Sequence, residues 1–257
     1  MLARIALVIV AATLWIGCSK GPPSFEEVPP AEELFAEGQN ELEGRRLLKV
    51  LPWVNYDSAI EKFQAIIDNY PYSEYAVLAE LAIADAYFAD RRYEEALSYY
   101  RDFIDLHPQH EKVPYTIFQA AMCHERRVKS PIRDQTATRD ALQFLDQLLA
   151  TYPYSEYADQ AEEIWRDLRT RLARQIKSIG DFYMRRGEYE SAAERYRSLL
   201  NEYPGLGLDA EALYKLAVCY EEMNRQDEAE DIYQAIVQNY RDTSEAEDAA
   251  DRIAAMN

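Results

Sequence analysis

Glycine and histidine are scarce in this chain of 257 residues, eight and three in all, and cysteine occurs only three times. So few glycines leave little room for a loop that cradles phosphate, and no Gly-rich phosphate loop, CxxC or HExxH sequence occurs. His107 and His110 flank Pro108 in a loop, with no nearby cysteine or third imidazole to complete a metal site, and His124 falls at a repeat-core position. The many Glu/Asp pairs lie on faces expected to meet solvent. No catalytic constellation, cofactor site or metal site therefore presents itself, and an enzyme reading has nothing to stand on. Cations are also in short supply: 28 Lys and Arg stand against 46 Asp and Glu, a formal charge of −18. That balance argues against nucleic acid and against broad contact with anionic lipid, and solubility accounts for most of it.

No apolar run is long enough to span a bilayer comfortably. The longest, over residues 5–16, follows Arg4 and ends at Ile16-Gly17-Cys18. A small residue before a cysteine, directly after such a run, resembles a bacterial lipobox, although Leu14 sits one place earlier than the usual leucine and Trp15 takes its position. The expectation is a signal peptide over 1–17 and a diacylglycerol-modified Cys18; an uncleaved anchor helix or an ordinary secretory signal are the alternatives. Two or three acyl chains on one cysteine make a stable anchor, where one is marginal. Ser19 follows in place of the Asp that retains such lipoproteins in the inner membrane, so the periplasmic face of an outer membrane is the expected location. Residues 18–30, with Pro22, Pro23, Pro29 and Pro30, read as an extended tether reaching at most about 40 Å. Cys123 and Cys219 stand two repeats apart, beyond the reach of a disulfide, and read as buried thiols serving as small apolar residues.

Internal repetition governs the rest. A small residue midway along one helix, an aromatic soon after, then Ala, a large apolar residue and a closing Pro along the next recur down the chain. The clearest copy reads Ala84, Tyr87, Ala96, Tyr100, Pro108. Others read Gly180, Tyr183, Ala192, Tyr196, Pro204 and Ala217, Tyr220, Ala229, Tyr233, with Arg241 where Pro would stand. Gly38, Ala59, Phe63 and Pro71 give a first repeat, and Ala121, His124, Ala141, Leu145 and Pro153 a third. Only Ala or Gly lets paired helices approach closely, the aromatics fill the gaps beside them, and Pro stops the second helix. This is the tetratricopeptide pattern. It predicts an all-α, right-handed superhelical solenoid of about five helix pairs, with repeats 1–3 over 31–153 and a long helix, repeats 4–5 and a capping helix over 154–257.

The departures are informative. Extra residues lie around 45–55, with Pro52 and Trp53, and around 128–135, with Pro131. After Pro153, apolar positions at Ala161, Ile164, Trp165, Leu168 and Leu172 keep helical spacing without Gly or Pro, which predicts one helix from near Ser155 to about Arg186. Ser244 is the expected cap of a last helix running to Met256. An octapeptide also recurs, Asn69-Tyr70-Pro71-Tyr72-Ser73-Glu74-Tyr75-Ala76 and Thr151-Tyr152-Pro153-Tyr154-Ser155-Glu156-Tyr157-Ala158. A helix stop followed by a Ser N-cap accounts for its Pro and Ser but requires no tyrosines. Of the chain's 20 tyrosines, Tyr87, Tyr100, Tyr183, Tyr196, Tyr220 and Tyr233 are core by position. Tyr72, Tyr75, Tyr93, Tyr99, Tyr115 and Tyr157 are expected to be free to face a peptide ligand in the groove.

Taken together, the lipobox, Pro-rich tether, five repeats, paired Tyr-Pro-Tyr-Ser-Glu-Tyr-Ala segments, His107-Pro108-x-His110 and Arg133-Asp134-Gln135-Thr136 resemble the BamD family of outer-membrane assembly lipoproteins, over nearly the whole chain from Cys18. The resemblance implies a scaffold of the β-barrel assembly machine, working alongside other assembly lipoproteins. Its N-terminal repeats would receive C-terminal targeting segments of unfolded outer-membrane proteins near Pro71, Tyr72, Ser73 and Tyr75. Its C-terminal repeats would dock the POTRA region of a BamA-like barrel protein, with Arg195, nine residues before Pro204, facing an acidic residue of that partner. A solvated helix residue is the plain alternative for Arg195. A periplasmic repeat adaptor organising cell-wall or envelope enzymes is the alternative for the whole chain.

Overall fold

The structure, a computed structural model, describes residues 28–43, 54–128, 130 and 134–256. The expected signal segment, Cys18, most of the tether, Pro52, Trp53, Pro131 and Arg133 lie outside the described residues. Among those described, the chain is helix and turn throughout, in eleven helices. They are α1 (Ala31–Glu43), α2 (Tyr56–Asn69), α3 (Glu74–Ala89), α4 (Tyr93–Leu106), α5 (Val113–Glu125), α6 (Thr136–Thr151), α7 (Ala158–Arg185), α8 (Tyr189–Glu202), α9 (Asp209–Glu222), α10 (Gln226–Asn239) and α11 (Ser244–Met256). Each helix packs mainly on its neighbours in the chain, with further contact of α1 on α3 and of α9 on α11. Such nearest-neighbour stacking is how a solenoid of helix pairs buries its apolar faces.

The repeat residues sit where their sizes require. Ala59, Ala84, Ala96, Ala121, Ala141, Ala192, Ala217 and Ala229 are fully buried, as are Phe63, Tyr100, Leu145, Tyr196 and Tyr233 four residues after the second-helix alanines. Two repeats bring the helices closer still. A Cβ on Gly38 would lie 2.5 Å from the Phe63 ring, and one on Gly180 would lie 2.8 Å from the Tyr196 ring. No flexible tip is available to give way at either place, since both rings are enclosed.

Tyr70, His107, Tyr152 and Tyr203 end their helices with φ near −130° and donate back to the carbonyl four residues before, each ahead of a proline. Tyr240 ends α10 with the same geometry, φ −126°, although Arg241 follows it. Repeat packing therefore sets this turn, and proline reinforces it.

α7 carries the expected long helix, 28 residues, but begins at Ala158 rather than near Ser155. Residues 155–157 are spent on a turn in which the Ala158 N–H donates to the Ser155 carbonyl, 3.0 Å, and Tyr157 stacks on Phe118 instead of entering the helix. α7 is shared between two cores: Ala161, Leu168 and Leu172 close the core of repeats 2 and 3, whereas Ala173 packs with Leu199 and Ala212 of the C-terminal repeats. Arg169 straddles the junction. Its guanidinium lies over Trp165 at 4.7 Å and Tyr203 at 5.1 Å and donates to the Glu202 carbonyl at 2.6 Å, where the C-terminus of α8 favours a cation.

The cap of the last helix also differs from expectation. Thr243, not Ser244, accepts from the Ala246 N–H, 3.3 Å, while its hydroxyl donates to the Tyr240 carbonyl, 2.7 Å. Thr243 stands three residues past the helix-ending tyrosine, as Ser73 does after Tyr70, so it is the repeat-equivalent of the serine in the octapeptide.

Candidate protein-binding surfaces

The first octapeptide forms the turn between α2 and α3. Pro71 is exposed and Tyr72 stands wholly in solvent. Ser73 is the N-cap of α3, accepting from the Ala76 N–H at 3.2 Å, so its hydroxyl is committed to the helix end. Tyr75 leans on Phe35 of α1, ring centroids 5.7 Å apart, and is only partly accessible. The Tyr70 hydroxyl donates to the carbonyls of Val28 and Pro29, 3.1 Å each, holding the start of the described chain beside this turn. In the second octapeptide Tyr154 is as exposed as Tyr72, but the Ser155 hydroxyl is buried with no hydrogen-bond partner among the described residues, and α7 starts without a side-chain cap.

Several rings expected to be free are instead engaged. Tyr93 packs edge-on against Phe88, and Tyr99 lies beside Tyr87. Tyr115 and Tyr157 pack together, centroids 5.6 Å apart, with Phe118 stacked on Tyr157. A solenoid has crevices within each repeat as well as between successive ones, and these tyrosines fill both: Tyr93 meets Phe88 of its own repeat, whereas Tyr157 lies against α5 of the repeat before it. The full exposure of Tyr72 follows from its place just past Pro71, at the tip of the turn.

Arg195 lies exposed on α8 and makes no hydrogen bond or ion pair with any described residue, unlike Arg197 two places on, which reaches Glu190 at 3.5 Å. His107 and His110 flank Phe103, centroids 5.0 and 5.3 Å from it; His107 pairs with Glu80 at 2.7 Å, and His110 accepts from the Lys112 N–H. Both are thus tied into the turn. No group of His, Cys, Asp and Glu among the described residues would hold a metal ion. His124 is buried against Phe144, its Nδ1 3.6 Å from Asp140; burial lowers its pKa, against the pull of the Asp140 carboxylate. It lines a pocket of about 430 Å³ with Arg127, Asp134, Thr136, Ala137 and Asp140. Cys123 and Cys219 are buried free thiols, pushed by burial to pKa values of about 12 and about 11.

A feature that sequence reading missed recurs in both halves of the array. Asp85 and Asp181 each follow the small residue of their helix, Ala84 and Gly180, and each accepts from a tyrosine fifteen residues on, Tyr100 and Tyr196, both at 2.7 Å. Around Asp181 the charges close into a ring. Lys215 Nζ lies 2.7 Å from Asp181 and 2.8 Å from Glu211, and Lys177 Nζ lies 3.5 Å from Asp181 and 2.8 Å from Glu211. Burial works against the Asp181 anion, but hydrogen bonds from Lys215 and Tyr196 and the two ammonium charges outweigh it and hold its pKa low. Around Asp85 the second donor is the Tyr115 hydroxyl, 2.8 Å from the same oxygen, itself approached by Gln119 Nε2 at 3.0 Å. There burial prevails over the two phenols and a distant Lys112, and the Asp85 pKa is raised.

None of the described helices is long and apolar enough to cross a membrane. A family model described as YfiO, outer membrane lipoprotein, matches residues 29–235. The chain is similar to the outer membrane protein assembly factor BamD of Caulobacter vibrioides, 28% identical over 228 residues that span 88% of this chain and 72% of the relative. Its similarity to the assembly factor BamD of Vibrio cholerae is 29% over 217 residues, 80% of this chain and 84% of the relative. Among solved structures it resembles the TPR2AB domain of yeast Sti1, at 13% identity and a TM-score of 0.45, over 84% of this chain and 80% of that one.

Proposed function

The chain belongs to the YfiO family of outer membrane lipoproteins, and from that premise we propose that it is a scaffold subunit of the machine that assembles β-barrel proteins into the outer membrane. The observation that carries this reading is the extent of the family match, which takes in both halves of the array rather than a single repeat, together with relatives that are themselves assembly factors. On this reading Cys18 carries the lipid that holds the chain to the periplasmic face, and the helical array projects from it.

The C-terminal repeats dock the POTRA region of a BamA-like barrel protein, with Arg195 as an anchor. An exposed guanidinium that is unpaired among the described residues keeps its donors for a carboxylate on a partner, and its planar fork suits bidentate pairing. The N-terminal repeats receive C-terminal targeting segments of unfolded outer-membrane proteins at the Pro71–Tyr75 turn. Tyr72 offers an unobstructed ring there and Tyr75 the rim of one, while Ser73 fixes the turn through its cap. Other assembly lipoproteins complete the complex.

The test is a pull-down of the tagged chain from gently solubilised envelopes, wild type beside Arg195→Glu. Recovery of a barrel protein with periplasmic POTRA domains, reduced at least tenfold by the charge reversal, is the expected result. Recovery that ignores the substitution moves the docking surface elsewhere, and absence of any barrel partner favours an adaptor for cell-wall or envelope enzymes.

A further inference from the structure

The two carboxylate sites described above are repeat-equivalents that differ in charge: the Asp181 site contains its own cations, and the Asp85 site contains none among the described residues. Lys215, which neutralises Asp181, stands four residues before Cys219; the residue four before Cys123 is Gln119. The place of Glu211 is taken by Tyr115, whose hydroxyl reaches Asp85. No ammonium or guanidinium among the described residues comes within ion-pair distance of Asp85, and Lys112 acts on it only from farther away. Both donors bind the same oxygen, Oδ1, so Oδ2 of this half-buried side chain has no hydrogen-bond partner among the described residues.

We propose that Asp85, with Tyr115 and Gln119 beside it, is a receptor for the lysine or arginine side chain of a polypeptide bound between α3 and α5. The inference rests on the peptide-receiving role proposed above and adds to it a preference for a positively charged residue in the bound segment. The C-terminal site supplies the geometric precedent, since an ammonium fits there 2.7 Å from the equivalent carboxylate with a tyrosine hydroxyl on the same oxygen. The surroundings suit the stem as well as the charge. Tyr115 and Tyr157, both partly exposed, pack together at a tilt next to the carboxylate, with Phe118 buried behind Tyr157, and a lysine or arginine chain laid on those two rings buries its methylenes and places its cation near them. Burial already disfavours the lone Asp85 anion, and an incoming cation would relieve that cost. A bound polypeptide rather than a small amine is the occupant because the adjoining rings of Tyr115 and Tyr157 extend the contact beyond the reach of an isolated charge.

The experiment uses an array of overlapping 15-residue segments of a β-barrel outer-membrane protein, probed with the full chain in detergent. Wild type is compared with Asp85→Asn, with Gln119→Lys and with Asp102→Asn, an exposed charge-matched control. Asparagine retains an oxygen for both phenols, and a lysine at 119 would supply the cation from within, as Lys215 does, so the first two variants stay folded while the site is discharged or filled. Wild type and the control are expected to favour Lys- and Arg-containing segments over the same segments carrying norleucine, by about tenfold, the scale of a charge-assisted hydrogen bond partly open to water. Asp85→Asn and Gln119→Lys are expected to lose that preference and keep the underlying aromatic binding. Retention of the preference in both variants, or its loss in the control, overturns the inference and leaves the peptide-receiving role standing. Failure of wild type to bind any segment overturns that role and the inference with it.

Discussion

The repeat-equivalent aspartates predict opposite responses to the same substitution. In Asp181→Asn the ring around Lys177 and Lys215 loses one of its two anions, and both ammonium groups are left to share Glu211 at 2.8 Å. The side chains of Asp181, Lys177 and Lys215 are each between 20% and 23% exposed, so the pairing is neither a surface contact nor a sealed one. Breaking a buried pair costs roughly 3–5 kcal/mol and an exposed one about 0–1; an intermediate site with one anion remaining should lose about 2 kcal/mol. For a chain of this size that lowers Tm by roughly 4–8 °C. Asp85→Asn removes no ion pair, keeps an acceptor for Tyr100 and Tyr115, and abolishes the cost of a desolvated anion. It should be neutral or stabilising by up to about 1 kcal/mol.

The pH dependence separates the two further. The folded-state pKa of Asp181 is lowered, so its contribution is present above the ordinary carboxylate pKa and fades as pH falls through the lowered value. The folded-state pKa of Asp85 is raised, so its ionisation cost is absent in acid and appears as pH rises through the raised value. Thermal melts followed by helical circular dichroism at pH 7.5 and at pH 3, below the ordinary carboxylate value of 3.8, measure both. The Asp181→Asn deficit should shrink in acid, and any Asp85→Asn gain should appear only at the higher pH. Equal losses for the two variants at pH 7.5 would refute the electrostatic contrast drawn here.

Three other outcomes follow from packing. Gly180→Ala gains about 1 kcal/mol in helix propensity but drives a Cβ to 2.8 Å from the enclosed Tyr196 ring, and urea denaturation should register a net loss of roughly 1–2 kcal/mol. Ser73→Ala should cost about 1 kcal/mol through its lost cap, whereas Ser155→Ala, which removes a buried hydroxyl without a partner, should change stability by less than about 0.5 kcal/mol or raise it. Cys123 and Cys219 should resist a thiol-disulfide reagent at pH 8 in the folded protein and react in denaturant, because each is fully buried with its thiol pKa raised.

Much of the architecture was readable from residue size and spacing. Ala84, Ala121 and Ala217 announce close helix contacts because nothing larger fits, and the long apolar spacing from Ala161 to Leu172 without Gly or Pro announces α7. Helix ends were less legible because they depend on which side chain reaches which backbone group. The octapeptide serine caps α3 at Ser73 yet leaves Ser155 idle, and the cap of α11 falls to Thr243. Aligning Tyr240 with Tyr70 would have found that threonine, since turn position and not residue type selects the cap. The tyrosines were the hardest to place. Tyr93, Tyr99, Tyr115 and Tyr157 carry the same local signal as Tyr72, and only the packing of helices within a repeat and of one repeat on the next decides which rings are covered. The aspartates were missed for a related reason: the pattern of a small residue, Asp, and a tyrosine fifteen places later is visible in sequence, but its partner lysine comes from the following repeat.

The central claim is that this array serves outer-membrane protein assembly, and depletion of the chain from its own cells tests it most directly. The measurement is the amount of folded, heat-modifiable β-barrel protein in the outer membrane as the chain is withdrawn, with complementation by wild type and by Arg195→Glu. The account predicts that barrel proteins fall while their unfolded forms accumulate, that wild type restores them, and that Arg195→Glu restores them less well. Barrel levels that hold steady after the chain is gone would contradict it.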